Sequence, residues 1–269
     1  MQKSNFHTHT LYSDGHNTPV GMIEAALGFG FTALGFSDHS YTHADESYPM
    51  KPSDEKAYFC EINALKKFYD GRIRLYCGIE QDGESCVPEH DYDYLIASVH
   101  ELIVRGKCYP IDSGEEMHCR LVNEGFGGSF VDMSLAYFDR LVEHVMRNKT
   151  DFVGHFDLVT KYSMIPEEDP RYIDGAIEAI REIMKHCRTF ELNTGAIARG
   201  LRTVPYPAGF MVDEIKRLGG RIIMTSDCHY CEKLTVWFDE GERFLAEHGF
   251  AKNEHASLND RVGDIEIWE

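Results

Sequence analysis

Seven short apolar runs, each leading to an imidazole, carboxylate or amide, recur along this chain and constrain its fold more than any other feature. The first is Asn5-Phe6-His7-Thr8-His9. It is followed by Gly35-Phe36-Ser37-Asp38-His39, Tyr76-Cys77-Gly78-Ile79-Glu80, Leu95-Ile96-Ala97-Ser98-Val99-His100 and Phe152-Val153-Gly154-His155-Phe156-Asp157. Phe190-Glu191-Leu192-Asn193 and Ile222-Ile223-Met224-Thr225-Ser226-Asp227-Cys228-His229 complete the set. A buried strand that stops at such a side chain, repeated around one chain, aims many ligands at one point. Segments of helical periodicity separate the runs, so the pattern predicts parallel βα units in an α/β barrel, with the chemistry at the carboxyl ends of the strands. Seven strands in place of the usual eight predict a distorted, irregular barrel.

Thr18-Pro19 opens the first predicted helix as cap and first-turn proline, with Ile23, Ala26, Leu27 and Gly30 on one face. Later helices are expected at about 53–69, 134–148, 171–187, 207–218 and 237–248, with Ser53, Ser134 and Asp239 near their starts. The stretch 105–134, rich in glycine and acidic residues, interrupts the alternation and is expected to pass over the barrel mouth as a lid. No repeat, low-complexity tract or linker divides the chain, so 1–269 is expected to be one domain.

With 269 residues and 43% hydrophobic content the chain can bury a large core. No run approaches the roughly 18 apolar residues of a membrane helix, and residues 1–6 lead directly into the first strand in place of a signal peptide, so the cytoplasm is the expected compartment. A formal charge of −18 argues against a nucleic-acid partner. The cysteines, at 60, 77, 86, 108, 119, 187, 228 and 231, form no compact framework and are read as reduced thiols. Cys228-His229-Tyr230-Cys231 fits a C-x-x-C pattern, yet no second pair completes a zinc site, and Asp227 and His229 are the better ligands.

His7 and His9, two apart at a strand end, share a face and can grip one ion. Asp14 follows in the turn Ser13-Asp14-Gly15, and His39, Glu80, His100, His155, Asp227 and His229 recur at later strand ends. Imidazoles mixed with carboxylates, without thiolates, suit Zn²⁺, Mn²⁺ or Fe²⁺. Nine ligands exceed what one ion uses, which predicts two or three divalent ions. A close pair of ions lowers the pKa of a bridging water and polarises the group it attacks, so hydrolysis is the expected chemistry.

These residues place the chain in resemblance to the polymerase and histidinol phosphatase (PHP) superfamily, through His7-Thr8-His9, Ser37-Asp38-His39, Gly154-His155-Phe156-Asp157 and Ser226-Asp227-Cys228-His229. Tyr109-Pro110-Ile111-Asp112, Glu124-Gly125-Phe126-Gly127-Gly128, Glu191-Leu192-Asn193-Thr194 and Tyr206-Pro207 make it most similar to the stand-alone histidinol-phosphate phosphatases. The resemblance covers residue 5 to about 231. It implies a distorted seven-stranded (β/α)7 barrel of TIM-like type and a trinuclear metal site. One ion would lie on His7, His9, Glu80 and Asp227, a second on bridging Glu80 with His100 and His155, and a third on Asp14, His39 and His229. The family often has histidine where this chain has Asp14, and His16 is the substitute candidate. The resemblance also implies phosphate binding by Arg199, with Arg202 in reserve and Lys161 as a second charge, and catalytic roles for Glu80, Asp227, His229 and His39. Asp38 and Asp157 are expected to orient neighbouring histidines.

The implied activity is hydrolysis of the small-molecule ester L-histidinol phosphate in histidine biosynthesis, by in-line attack of a metal-bridging hydroxide. His39, His229 and Asp38 are candidates for the leaving-group acid. Two other readings stand beside it: a PHP phosphoesterase acting on nucleotides or another small ester, and a non-catalytic metal-binding PHP module.

Overall fold

The computed structural model of the chain describes residues 2–85 and 88–269. Its first half runs β1 (Ser4–Asn5), α1 (Pro19–Gly28), β2 (Ala33–Phe36), α2 (Pro52–Phe68), β3 (Arg74–Asp82), β4 (Tyr94–Ser98), β5 (Glu101–Val104) and β6 (Lys107–Pro110). Then follow α3 (Glu115–Phe126), α4 (Phe130–Arg147), β7 (Phe152–Val153), α5 (Pro170–Ile183) and β8 (Thr189–Asn193). The last elements are α6 (Gly195–Ala198), α7 (Gly209–Arg217), β9 (Arg221–Thr225), α8 (Phe238–Glu247), β10 (Lys252–Ser257) and β11 (Gly263–Trp268).

One curled sheet holds nine strands in the order β1-β2-β3-β4-β7-β8-β9-β11-β10. The runs read from the sequence supply β1, β2, β3, β4, β7, β8 and β9, all paired in parallel. The expected strand count of seven is corrected by the antiparallel hairpin β10–β11, which extends the sheet past β9. Asn253, Glu254 and His255 in β10 are exposed, so that strand lacks the apolar run that marks the others.

The two ends of the sheet meet in different ways. Beyond the carboxyl ends of β1 and β9, His9 N donates to Cys228 O (2.9 Å) and Cys228 N donates to His7 O (3.0 Å). Nearer the amino-terminal ends, β11 reaches β1 through Glu266, which accepts from Lys3 N (2.6 Å) and Ser4 Oγ (3.0 Å). Side-chain alternation divides the core in two. Leu34, Ile79, Phe190, Leu192, Ile222 and Met224 pack in the cluster shared with the helices. Phe6, Tyr94, Ile96, Phe152 and Ile223 form a second cluster with the hairpin residues Ile265 and Ile267. Tyr94 fills the space in front of Gly35 and Gly78, where a Cβ would come within 2.3 Å of it, and its hydroxyl lies 2.8 Å from Phe6 O and 3.0 Å from Phe36 O.

Thr18 caps α1 by accepting from Gly21 N, with Pro19 in the first turn. Other expected helix starts need correction. Lys51 holds the cap position of α2, where Ser53 does not act. Ser129 caps α4 by accepting from Asp132 N (3.1 Å), so the helix begins at Phe130, four residues before the expected start, and Ser134 lies inside it with its hydroxyl bonded to Phe130 O. Asp239 lies in the first turn of α8, whose cap position is Trp237 in a left-handed conformation. The 105–134 stretch is more regular than expected, because it contains part of the β5–β6 hairpin and all of α3. Among the described residues no helix is long and apolar enough to cross a membrane.

Candidate metal centre

The strand ends bring all nine predicted ligands together, with Glu80 at the middle. Its Oε2 lies 2.9 Å from His39 Nδ1, 3.1 Å from His7 Nε2 and 3.5 Å from His9 Nε2. Its Oε1 lies 3.0 Å from His155 Nε2 and 3.5 Å from His100 Nε2. Five imidazoles from four strand ends thus surround one buried carboxylate. Asp227 Oδ1 closes on His9 Nε2 at 3.2 Å and His7 Nε2 at 3.7 Å, from a residue at φ +47°, where the chain turns sharply after β9.

Asp14 completes the far side. Its Oδ2 is 3.1 Å from His229 Nε2, and its Oδ1 is 3.7 Å from both His9 Nδ1 and His39 Nε2. The turn that carries it requires Gly15, since a Cβ there would stand 2.4 Å from the His9 carbonyl. Asp14 therefore occupies the position in doubt from the sequence, and His16 does not. His16 stacks on Tyr230 instead, with centroids 4.1 Å apart.

The residues that orient these ligands differ from those expected. Asp38 accepts from Thr10 N, Thr10 Oγ1, Ser13 N and Ser13 Oγ, so it shapes the loop leading to Asp14 and bonds to no histidine. Asp157 accepts from Ala208 N (3.2 Å) at the start of α7. The histidines are held by two carboxylates that the strand-end pattern did not single out for this task. Glu191 Oε2 bonds His7 Nδ1 at 2.8 Å and also accepts from Thr225 Oγ1, while Oε1 accepts from His155 N and Asn193 Nδ2. Asp82 Oδ2 bonds His100 at both its backbone N (2.6 Å) and Nδ1 (3.2 Å). A carboxylate on one ring nitrogen fixes the tautomer and turns the other nitrogen toward an ion.

The cluster has the marks of a site that fits metal. His7 Nε2, both ring nitrogens of His9, Asp14 Oδ1, His39 Nδ1 and Glu80 Oε2 are buried with no hydrogen-bond partner among the described residues. Such groups are costly to bury unless something binds them. The donor atoms fall into overlapping sets able to hold an ion: His9-Asp14-His39-His229, His7-Glu80-His155, His7-His9-Asp227 and His39-Glu80-His100. The charges agree. Burial, with His229 and His39 alongside, pulls His9 down to about 3 and keeps it neutral, the form that ligates. Burial opposes charge on Glu80, but His7, His39 and His100 outweigh it and hold the carboxyl well below its ordinary range.

The cluster borders a cavity of about 590 Å³, lined by Tyr48, Glu101, Asp112, Lys161, Arg199 and His229 among others. Arg199 Nη2 lies 2.9 Å from Asp227 Oδ2, which couples this guanidinium to the ligand set. Lys161 Nζ pairs with Asp112 Oδ2 at 2.9 Å. Pro110, Asp112 and Ser113 bring the 105–134 stretch to the cavity wall. Arg202 is corrected: it lies buried outside the cavity lining, donating to Thr160 O (2.8 Å) and placed over the Tyr206 ring. The seven described cysteines are free, and Cys86 lies outside the described residues. The Cys228 thiol is occupied with Tyr230 O.

The sequence model of the PHP domain matches residues 5–195. The "Probable histidinol-phosphatase" of Deinococcus radiodurans is 28% identical over 255 residues, 90% of this chain and 92% of that protein. The histidinol-phosphatase of Bacillus subtilis is 24% identical, over 85% of this chain and 94% of its own length. The fold is shared with a crystal structure of histidinol phosphate phosphatase from Lactococcus lactis complexed with zinc, L-histidinol and phosphate. That likeness has a TM-score of 0.73 at 20% identity and covers 93% of this chain and 95% of the other.

Proposed function

The chain belongs to the PHP domain family, and from that premise we propose that it is a divalent-metal-dependent phosphomonoesterase that hydrolyses L-histidinol phosphate to L-histidinol and phosphate. The observation that carries the reading is the set of five imidazoles around Glu80, with unpartnered donor atoms, beside a cavity that also holds Arg199 and Lys161. The named relatives support the substrate. We read the parallel strands as the distorted (β/α)7 barrel, the hairpin as an addition to it, and 105–134 as a lid on a single domain.

His7, His9, Glu80 and Asp227 are assigned to one ion, Glu80, His100 and His155 to a second, and Asp14, His39 and His229 to a third. His9 lies near enough to Asp14 to serve the third as well. Bound there, divalent ions supply Lewis acidity and a water of lowered pKa. The chain's own residues do the rest. Arg199 and Lys161 neutralise the phosphate dianion, and the planar guanidinium offers paired donors to its oxygens. Glu191 and Asp82 keep Nε2 of His7 and His100 turned toward the cluster. His39 and His229 line the cavity and are our candidates for supplying the leaving-group proton.

The test is phosphate release by the protein loaded with Mn²⁺, Zn²⁺ or Fe²⁺, across histidinol phosphate, nucleoside monophosphates and phosphotyrosine. Histidinol phosphate is expected to give the highest kcat/KM. Turnover no faster than the other esters would overturn the substrate and leave the hydrolase.

A further inference from the structure

The cavity's cations Lys161 and Arg199 come from different elements. Lys161 follows the turn Leu158–Thr160 beyond β7, and Arg199 ends the short helix α6 beyond β8. Each side chain is drawn aside by a carboxylate, Lys161 by Asp112 and Arg199 by Asp227, both at 2.9 Å. Like charges also repel until a phosphate lies between them, so the two side chains do not fix their own separation. The backbones that carry them must be held by something else.

Arg202 is placed to do so. Its side chain is 3% exposed and donates through Nη1 to Thr160 O at 2.8 Å, one residue before Lys161. Its backbone N donates to Ala196 O (3.4 Å) in α6, three residues before Arg199. The guanidinium lies over the Tyr206 ring, 5.0 Å from its centroid, and Tyr206 pairs with Asn193 through both backbone groups (3.0 and 2.8 Å). That pair closes the base of the loop bearing Arg199, so one guanidinium joins the Lys161 turn to a loop fixed at its root. A further bond, Ala208 N to Asp157 Oδ2 at 3.2 Å, lies farther along the chain from both cations. Stability alone does not account for Arg202. Its Nε is buried without a hydrogen-bond partner among the described residues, and its ion pair with the partly exposed Glu167 spans 3.7 Å. A buried charge bonded so incompletely is commonly no more stabilising than an apolar side chain of its size.

Resting on the function proposed above, we infer that Arg202 is a positioning residue for phosphate: it touches no substrate, and it holds the Lys161 turn and the Arg199 loop at the spacing that one phosphate dianion spans. Its planar fork suits the task, because one edge reaches the Thr160 carbonyl while the face rests on Tyr206. Binding then spends little on bringing the two cations together, since their backbones are already in place.

The experiment follows inorganic phosphate binding to the full chain loaded with Mn²⁺ by calorimetry, with Mn²⁺ affinity as the control. Arg202→Met keeps bulk and removes the donors; its phosphate Kd is expected to rise about tenfold, with Mn²⁺ affinity within about twofold of the parent. Arg202→Lys keeps a charge beside Asp157 and Glu167 but loses the planar fork, and a rise of about threefold is expected. In a Lys161→Gln background, Arg202→Met is expected to add less than about threefold, because one of the two cations it positions is already gone. An unchanged phosphate Kd in folded Arg202→Met overturns the inference; where that variant does not fold, an unchanged Kd in Arg202→Lys does so. A phosphate Kd and a Mn²⁺ affinity that weaken together, or a full effect that survives Lys161→Gln, also overturns it, since Arg202 would then only brace the fold. These outcomes leave the proposed function standing. That function falls separately, on the comparison of esters, and its phosphate assignment falls if Lys161→Gln and Arg199→Gln bind phosphate as the parent does, taking this inference with it.

Discussion

At the scale of single residues, the site depends on carboxylates whose tasks differ although their burial is alike. Glu80 is shared by five histidines, whereas Glu191 faces one ring nitrogen, His7 Nδ1, and ties it to β7 and β9. Substituting Glu191→Gln keeps the size but removes the charge that fixes the His7 tautomer. Metal affinity is expected to fall about 10- to 100-fold, read as a shift of metal-titration midpoints with the circular dichroism spectrum unchanged. A variant that binds metal as tightly as the parent would remove Glu191 from the site. The nine candidate ligands were legible because eight of them end or follow an apolar run and Asp14 lies in the turn after the first, a signal confined to a few neighbouring residues. The orienting partners were not, because 184 positions separate His7 from Glu191. Only strand order makes them neighbours. Asp38 and Asp157 drew the orienting role by adjacency to His39 and His155, and the backbone amides of Thr10 and Ala208 claim them instead.

At the scale of elements, helix placement follows local signals only where those signals cap. Thr18-Pro19 set α1 correctly, while α4 starts at Ser129 because its hydroxyl meets an exposed N–H; Ser134, in mid-helix, turns back to Phe130 O. The hairpin β5–β6 escaped notice because its strands are four residues each and β5 follows directly on the His100 strand end, and α3 because only His118, Leu121 and Val122 of it are buried. Between helices, Glu214 of α7 is bonded by Arg217 of its own helix and by Arg181 of α5 (2.8 Å). Those guanidiniums, led by Arg217, outweigh burial and lower the Glu214 carboxyl from 4.5 to about 2. A carboxyl depressed in the folded state stabilises it fully above the unfolded value and loses that contribution as pH falls. Glu214→Gln is therefore expected to cost about 1 kcal/mol at pH 7, since both arginines are largely in water. The gap should narrow below pH 4.5 and close toward pH 2. Urea midpoints for parent and variant across that range check it; a gap that is independent of pH would mean that packing, not charge, joins α5 to α7.

At the scale of the whole molecule, the curled sheet is fastened at its two ends by unlike means. The end bearing β10 and β11 packs Ile265 and Ile267 beside Tyr94 and Phe152 and adds the Glu266 bonds to Lys3 N and Ser4 Oγ, with no metal-ligand candidate among its described residues. The other end gathers the histidine cluster with Asp14, Glu80 and Asp227, and backbone pairing there between the first strand's continuation and the chain after β9 runs through His7, His9 and Cys228 and through His16 N to His229 O. Buried like charges and unpartnered ring nitrogens oppose closure at this end unless cations lie among them. On the proposed assignment, a divalent ion held by His7 and His9 with Asp227 would tie those two segments together, and metal affinity would become folding free energy. Stripping the protein with a chelator is expected to lower Tm by on the order of 10 °C, the equivalent of about 4 kcal/mol at a thousandfold excess of metal over its Kd. Hydrogen exchange should locate the loss, rising at residues 5–9 and 226–229 while β10 and β11 stay protected. Equal loosening at both ends, or none, would mean that the ions sit in a frame that holds itself closed.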